Sequence, residues 1–153
     1  AGKGRYSKLA NINKNTILSY TDKSAKNGTV YTYKIVACKT AGKTSYNAAD
    51  SNQKTIMRIT SSKVTKTTNK AGKKMTVKWS VNSKAGGYQI QYSVKSNFAK
   101  AKTVKVTGAK KSNVTIAKLA KKKYYVRVRS FKKVGKTTYY SAWSTTKNVV
   151  IKK

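Results

Sequence analysis

Apolar and polar positions alternate with a period of two along the second half of this chain. "KMTVKWS" sets Met75, Val77 and Trp79 on one face and Thr76 and Lys78 on the other. "GYQIQYS" aligns Tyr88, Ile90 and Tyr92, and "KTVKVTG" aligns Val104 and Val106. "SNVTIAKL" offers Val114 and Ile116, with Leu119 beyond. "YYVRVRS" turns Tyr124, Val126 and Val128 inward and Tyr125, Arg127 and Arg129 outward, and "TTKNVVIKK" closes with Val149 and Ile151. Turn sequences such as "NKAGKK", "SKAGG" and "KKVGKT" punctuate these runs. Short alternating strands between regular turns predict an antiparallel β-sandwich.

The first part of the chain repeats the end of the second. At an offset of 93 residues, Tyr31 falls on Tyr124, Ile35 on Val128, Lys39 on Lys132, Gly42 on Gly135 and Tyr46 on Tyr139. Ser51 falls on Ser144 and Ile56 on Val149, and no gap is needed. A fixed period of this kind marks two copies of one unit. Residues 60–153 read as a complete copy and residues 1–59 as the C-terminal part of another. Residue 1 corresponds to residue 94, in the turn after the third strand, so the first copy lacks strands A to C. "RYSKLANI", "TILSYT", "VYTYKIVAC" and "TSYNAADSNQKTIMRI" are its expected remnants. Tyr33, Ile35 and Ala37 should then face a core whose other half is missing, beside a bare strand edge. Cleavage at an exposed loop, a cleaved strand peptide that stays bound, and completion by a neighbouring subunit all account for this. A strand-completing peptide or a neighbouring subunit is therefore the expected partner of residues 1–59.

Charge changes the picture most. Lysine and arginine number 36 against 2 acids, Asp22 and Asp50, for a net charge of +34. Such a chain repels itself and gathers an atmosphere of anions. No proline and no long apolar run occur, so no transmembrane helix is expected, and without a signal peptide the chain reads as mature or excised. The single cysteine, Cys38, excludes an internal disulfide and reads as a small packing residue.

The residue inventory also removes whole reaction classes. Histidine is absent and residues 51–153 contain no carboxylate. Imidazole bases, zinc cages, paired-carboxylate hydrolysis and acidic calcium loops are therefore excluded from the complete copy. The "GKT" fragments lack Walker spacing and sit on hairpins. The chain is not expected to be an enzyme, nor to hold a metal or cofactor.

Trp79 at the end of an early strand, "GYQIQYS", Leu119 five residues before Tyr124, and "YYVRVRS" followed by "YSAWS" resemble a fibronectin type III domain. The likeness is closest to lysine-rich repeats of Gram-positive bacterial surface proteins. It implies an all-β fold of tandem immunoglobulin-like sandwiches, the first incomplete, in an extracellular, secreted or cell-surface setting. It also implies that Tyr124, and Tyr31 in the first copy, occupy the tyrosine-corner position. "YSAWS" resembles half of the Trp-Ser-x-Trp-Ser box of cytokine-receptor type III domains. On that likeness Arg127 and Arg129 stack with Trp143 and Tyr140, whereas Lys34, Val36, Asn47 and Asp50 deny the first copy such a stack. Asp50 is placed to pair weakly with Lys34.

The lysines at the turns remain as candidate polyanion ligands: Lys121, Lys122 and Lys123 before the sixth strand, Lys132, Lys133 and Lys136 around the next hairpin, and Lys110 and Lys111 at another turn. Lys73 and Lys74 mark a further one. Lysine acts as a point charge without base readout, so teichoic acid, glycan and nucleic acid are all eligible anionic polymers. Adhesion through such polymers is the leading expectation. A non-specific cationic binder, acting on extracellular nucleic acid or anionic membrane, is the alternative.

Overall fold

The computed structural model describes residues 5–152, and those residues form strands and turns with no helix. Residues from Ile59 onward build a two-sheet sandwich. One sheet has the order β5 (Val64–Lys70), β6 (Lys74–Trp79) and β9 (Asn113–Ile116). The other runs β11 (Thr137–Tyr140), β10 (Lys123–Val134), β7 (Gly87–Ser93) and β8 (Lys102–Thr107), with β12 (Lys147–Val150) also on β10. All pairings are antiparallel. Alternation sends every second residue to the same face. Accordingly Met75, Val77, Tyr88, Ile90, Val126 and Val128 are fully buried between the sheets. Ile59, Val64, Ile116, Leu119, Tyr124 and Ile151 close the core. Trp79 lies on Tyr88, ring centroids 5.3 Å apart, and its indole N–H finds no acceptor among the described residues. The Tyr124 hydroxyl accepts the Ala120 N–H at 3.1 Å, tying the chain back before β10. β5 and β12 lie side by side, and Thr67 Oγ1 donates to the Asn148 carbonyl at 2.9 Å.

"YSAWS" departs from the strand expected of it. Ser141 to Thr146 leave the ladder between β11 and β12. The reason is serine chemistry: Ser141 Oγ accepts the Ser130 N–H at 2.9 Å, and Ser144 Oγ accepts the Val128 N–H at 3.0 Å. The hydroxyls stand in for backbone carbonyls, so β10 stays satisfied while the opposite chain bends out.

In the first part, β1 (Val30–Tyr33) pairs β4 (Lys54–Met57), and β2 (Val36–Ala41) pairs β3 (Thr44–Asp50). The repeat extends to individual bonds. Ile35 N–H donates to Ser51 Oγ and Ser51 N–H to the Ile35 carbonyl, as Val128 and Ser144 do 93 residues on. The Tyr31 hydroxyl accepts the Lys26 N–H at 2.8 Å, as Tyr124 accepts from Ala120. Gly42 and Gly135 open the two equivalent hairpin loops at φ 59° and 56°, the left-handed geometry that two-residue turns require.

Two expectations fail here. "RYSKLANI" and "TILSYT" form no strands. In the complete sandwich the corresponding strands are β8 and β9, which pair with β7 and β6. Among the described residues nothing equivalent to β6 or β7 faces residues 5–24, so the segment has no ladder to join. Cys38 is exposed rather than packed: it corresponds to Phe131, on the outward face of the sheet. Ile35, on the core-facing side, is 74% exposed because among the described residues no second sheet covers β2, although Tyr33 is half-buried.

Tyr33 donates to Asp22 Oδ2 at 2.8 Å, and Ser24 donates to the other carboxylate oxygen through its N–H and hydroxyl. The Ser24 and Tyr33 hydroxyls hold the Asp22 carboxyl below its ordinary range. Burial, aided by that carboxylate, pushes the Tyr33 phenol up to about 12. A raised folded-state value means that this contribution to stability is complete below about pH 10 and fades as pH climbs towards 12. In a spectrophotometric titration one phenol should ionise last, near pH 12, and Tyr33→Phe should remove that late step alone.

The two parts meet at Asn82, a buried side chain in the β6–β7 loop. Its amide nitrogen donates to the Thr60 carbonyl (2.8 Å) and hydroxyl (3.1 Å), and its Oδ1 accepts from Asn27 and from Lys84 N–H. Asn27 Oδ1 in turn accepts the Thr60 N–H at 3.0 Å. Neither asparagine carries a periodic signal in the sequence.

Candidate polyanion interface

The outward face of β10 carries Tyr125, Arg127, Arg129 and Phe131. Arg127 and Arg129 stand directly opposite Gln91 and Gln89 on β7. Each guanidinium Nε–H reaches the glutamine carbonyl, at 2.7 and 2.6 Å. The bend of Ser141 to Thr146 lays Trp143 between the two arginines, with guanidinium carbons 4.6 and 4.3 Å from its ring centroid. Tyr140 sits 4.0 Å from Arg129, and Phe98 sits 4.0 Å from Arg127. Past Tyr140 the stack reaches Phe131, centroids 6.2 Å apart, and Lys105 Nζ at 4.6 Å over that ring.

Rings and cations therefore alternate from Phe98 to Tyr140, and a second ring, Phe131, then leads to Lys105. Phe98 and Lys105 do not follow from the strand pattern. Phe98 lies in the β7–β8 turn at φ 59°, where an isolated apolar residue in a polar turn is the only signal. Burial among the rings lowers the pKa of both guanidinium groups from the usual arginine value; Tyr140 opposes this at Arg129, and the Arg127 charge adds to it. With the Nε donors engaged and the planes covered, these two cations serve the sheet more than a ligand. Each guanidinium–ring contact contributes about 0.5–2 kcal/mol. Trp143→Ala should thus cost roughly 1–3 kcal/mol in urea unfolding, with Trp143→Phe recovering part of it.

The turn lysines separate into two groups. Gly86 donates to the Phe131 carbonyl at 2.7 Å and accepts from Gly108 N–H at 2.8 Å. These bonds set the β10–β11 hairpin and the β8–β9 turn against the start of β7. Lys132, Lys133, Lys136, Lys110 and Lys111 thereby share one end of the sandwich. Tyr88, fully buried, ties the same end by donating to the Ala109 carbonyl at 2.5 Å and accepting Asn82 N–H at 2.7 Å. A shallow groove of about 410 Å³ opens there, lined by Gly86, Lys105, Thr107, Phe131, Lys132, Lys133 and Thr138. Lys121, Lys122 and Lys123 lie at the opposite end, where Leu119 N–H donates to the Lys73 carbonyl at 3.0 Å and brings Lys73 and Lys74 close. Lys123 Nζ stands 5.3 Å over the Tyr125 ring. Among the described residues the one ion pair is Lys34 with Asp50, at 2.5 Å, in the first part of the chain. Exposed pairs of this kind add little stability.

No family model matches the chain, and no curated protein matches it. Solved structures do. The FN1-FN3 domains of chicken CNTN1 match at a TM-score of 0.52 and 20% identity, over 88% of this chain and 45% of that one. The fibronectin type III domain of human contactin 1 matches at a TM-score of 0.52 and 16% identity, over 61% of this chain and 78% of that one. This chain thus spans less than half the length of the chicken structure. The likeness shows the fold: a fibronectin type III β-sandwich.

Proposed function

We propose that this chain is a secreted or cell-surface structural and adhesive module that holds anionic polymers, wall polymers or glycans, at the ends of its sandwich. The carrying observation is the set of five lysines, Lys110, Lys111, Lys132, Lys133 and Lys136, gathered on the β10–β11 hairpin and the adjoining β8–β9 turn, with no Asp or Glu anywhere in residues 51–153. The lysine-rich, acid-poor composition supports a likeness to the type III repeats of Gram-positive surface proteins. Lysine point charges beside a groove floored by Phe131 suit sulfated, phosphorylated or carboxylated chains, whose charges are spaced along a flexible backbone.

A second reading rests on the spread of cations over both ends. There the charge itself is the agent, and any polyanion or anionic membrane is a target. Binding of teichoic acid, heparin and duplex DNA across a salt series separates the two. Saturable binding to one polymer at physiological salt supports adhesion. Steep, ligand-indifferent loss supports the second reading. No binding to any of the three would overturn both.

A further inference from the structure

The joint between the two parts of the chain holds its one Asn-Gly pair, Asn27 and Gly28. Such a pair is open to an internal reaction, because glycine has no Cβ to shield its nitrogen or restrict its backbone. Here the joint pins both the nitrogen that would attack and the amide it would attack. Gly28 N–H donates to the Arg58 carbonyl at 2.8 Å. Asn27 Oδ1 accepts the Thr60 N–H at 3.0 Å, and Asn27 Nδ2 donates to Asn82 Oδ1 at 3.2 Å. Asn82 is buried and its own amide nitrogen is committed to Thr60, so it cannot turn over without losing those bonds. The same joint also demands the glycine. Gly28 has a φ of 79°, and a Cβ there would lie 2.8 Å from Lys84 Cβ. Close packing of the two parts therefore keeps a reactive pair at the contact that holds them.

We propose that Asn27 is a modification site governed by the joint: the closed joint protects it, and in the open joint it cyclises on Gly28 and deamidates, after which the joint cannot re-form. In the open state the Gly28 main-chain nitrogen attacks Asn27 Cγ. The new N–Cγ bond replaces the Cγ–Nδ2 bond, and Nδ2 leaves as ammonia, its added proton balancing the one Gly28 N gives up. Water then opens the cyclic imide. Opening at the side-chain carbonyl yields aspartate, and opening at the main-chain carbonyl yields isoaspartate, with no change of oxidation state. Both products lack the Nδ2 donor. Aspartate sets a carboxylate oxygen against Asn82 Oδ1, acceptor against acceptor. Isoaspartate lengthens the main chain by a methylene and moves Gly28 off Arg58 and Lys84. An opening that the fold would otherwise reverse becomes permanent, and the two parts lose the polar contact between them.

The inference is independent of polyanion binding. The test follows residue 27 by peptide mapping in the full chain, native and unfolded in guanidinium chloride, together with amide hydrogen exchange at Gly28. Modification of Asn27 is expected in both, about ten- to a hundredfold slower in the native chain. That slowing should match the exchange protection of Gly28 within about threefold, since both reactions wait for the same opening. Asn82→Ala removes the acceptor of Asn27 and should speed the native reaction by about tenfold. Asn27→Asp should lower the protection of the Gly28 and Thr60 amides and leave that of the β10 amides unchanged. Absence of modification in the unfolded chain, one rate for the folded and unfolded chains, a native rate that does not follow Gly28 exchange, or full protection of Gly28 and Thr60 in Asn27→Asp would overturn the proposal.

Discussion

Duplex DNA held at one end of the sandwich should lose about 500-fold in affinity as salt rises from about 50 to about 200 mM, and DNA held at both ends about 2 × 10⁴-fold. The two values follow from counterion release, in which log K falls against log salt with a slope of about −0.9 per neutralised phosphate. Five lysines at the Lys132 end give a slope near −4.5, and adding Lys121, Lys122 and Lys123 brings it to about −7. The slope, measured by fluorescence anisotropy, thus counts the ends in use. Lys132→Gln, Lys133→Gln and Lys136→Gln together should make it shallower by about 3. Arg127→Gln and Arg129→Gln should leave it nearly unchanged, since those guanidinium groups lie among rings. A slope that the lysine changes do not move would place binding elsewhere on the surface.

Gly87→Ala is expected to destabilise the complete sandwich by about 2–3 kcal/mol. A Cβ there would lie 2.3 Å from the Val106 carbonyl oxygen and 2.7 Å from the Phe131 ring. The carbonyl belongs to β8, paired with β7 along its length, and cannot withdraw without opening that ladder. Phe131 is held beneath Lys105 and against Tyr140. The cost is steric: Gly87 is not among the glycines with positive φ. Gly86→Ala is the matched control, because its nearest neighbours would lie 3.5 Å away, at ordinary contact distance. Thermal unfolding should show a fall of about 10 °C or more for Gly87→Ala and little for Gly86→Ala. Equal effects would mean that close approach at Gly87 is not what the sandwich depends on.

The core was legible because burial on one face imposes a period of two, and Met75, Val77, Tyr88, Ile90, Val126 and Val128 obey it. Long-range absence was harder to read. "RYSKLANI" and "TILSYT" carry strand-like composition, but a strand exists through its neighbour, and among the described residues none pairs with residues 5–24. "YSAWS" misled for a local reason: serine hydroxyls supply what strand carbonyls would have supplied, and no propensity records that exchange. At the candidate site, Arg127, Arg129, Trp143 and Tyr140 were recoverable from a family likeness, whereas Phe98 was not, since a lone aromatic in a turn gives no period. Asn27 and Asn82 lie in irregular loops, where only coordinates show which polar groups meet. The turn lysines were visible one by one, and only the topology divides them between two ends.

The placement of β5 beside β12 has a mechanical consequence. The chain enters the sandwich at Val64, beside Trp79, and leaves at Val150, beside Lys123. These points lie at opposite ends, so tension between them runs parallel to the strands. Its line of action passes through the β5–β12 contact and the Thr67–Asn148 bond. Force along that line loads this contact and its hydrogen bond in shear. Drawn out lengthwise from those two points, the sandwich should yield by sliding β5 past β12.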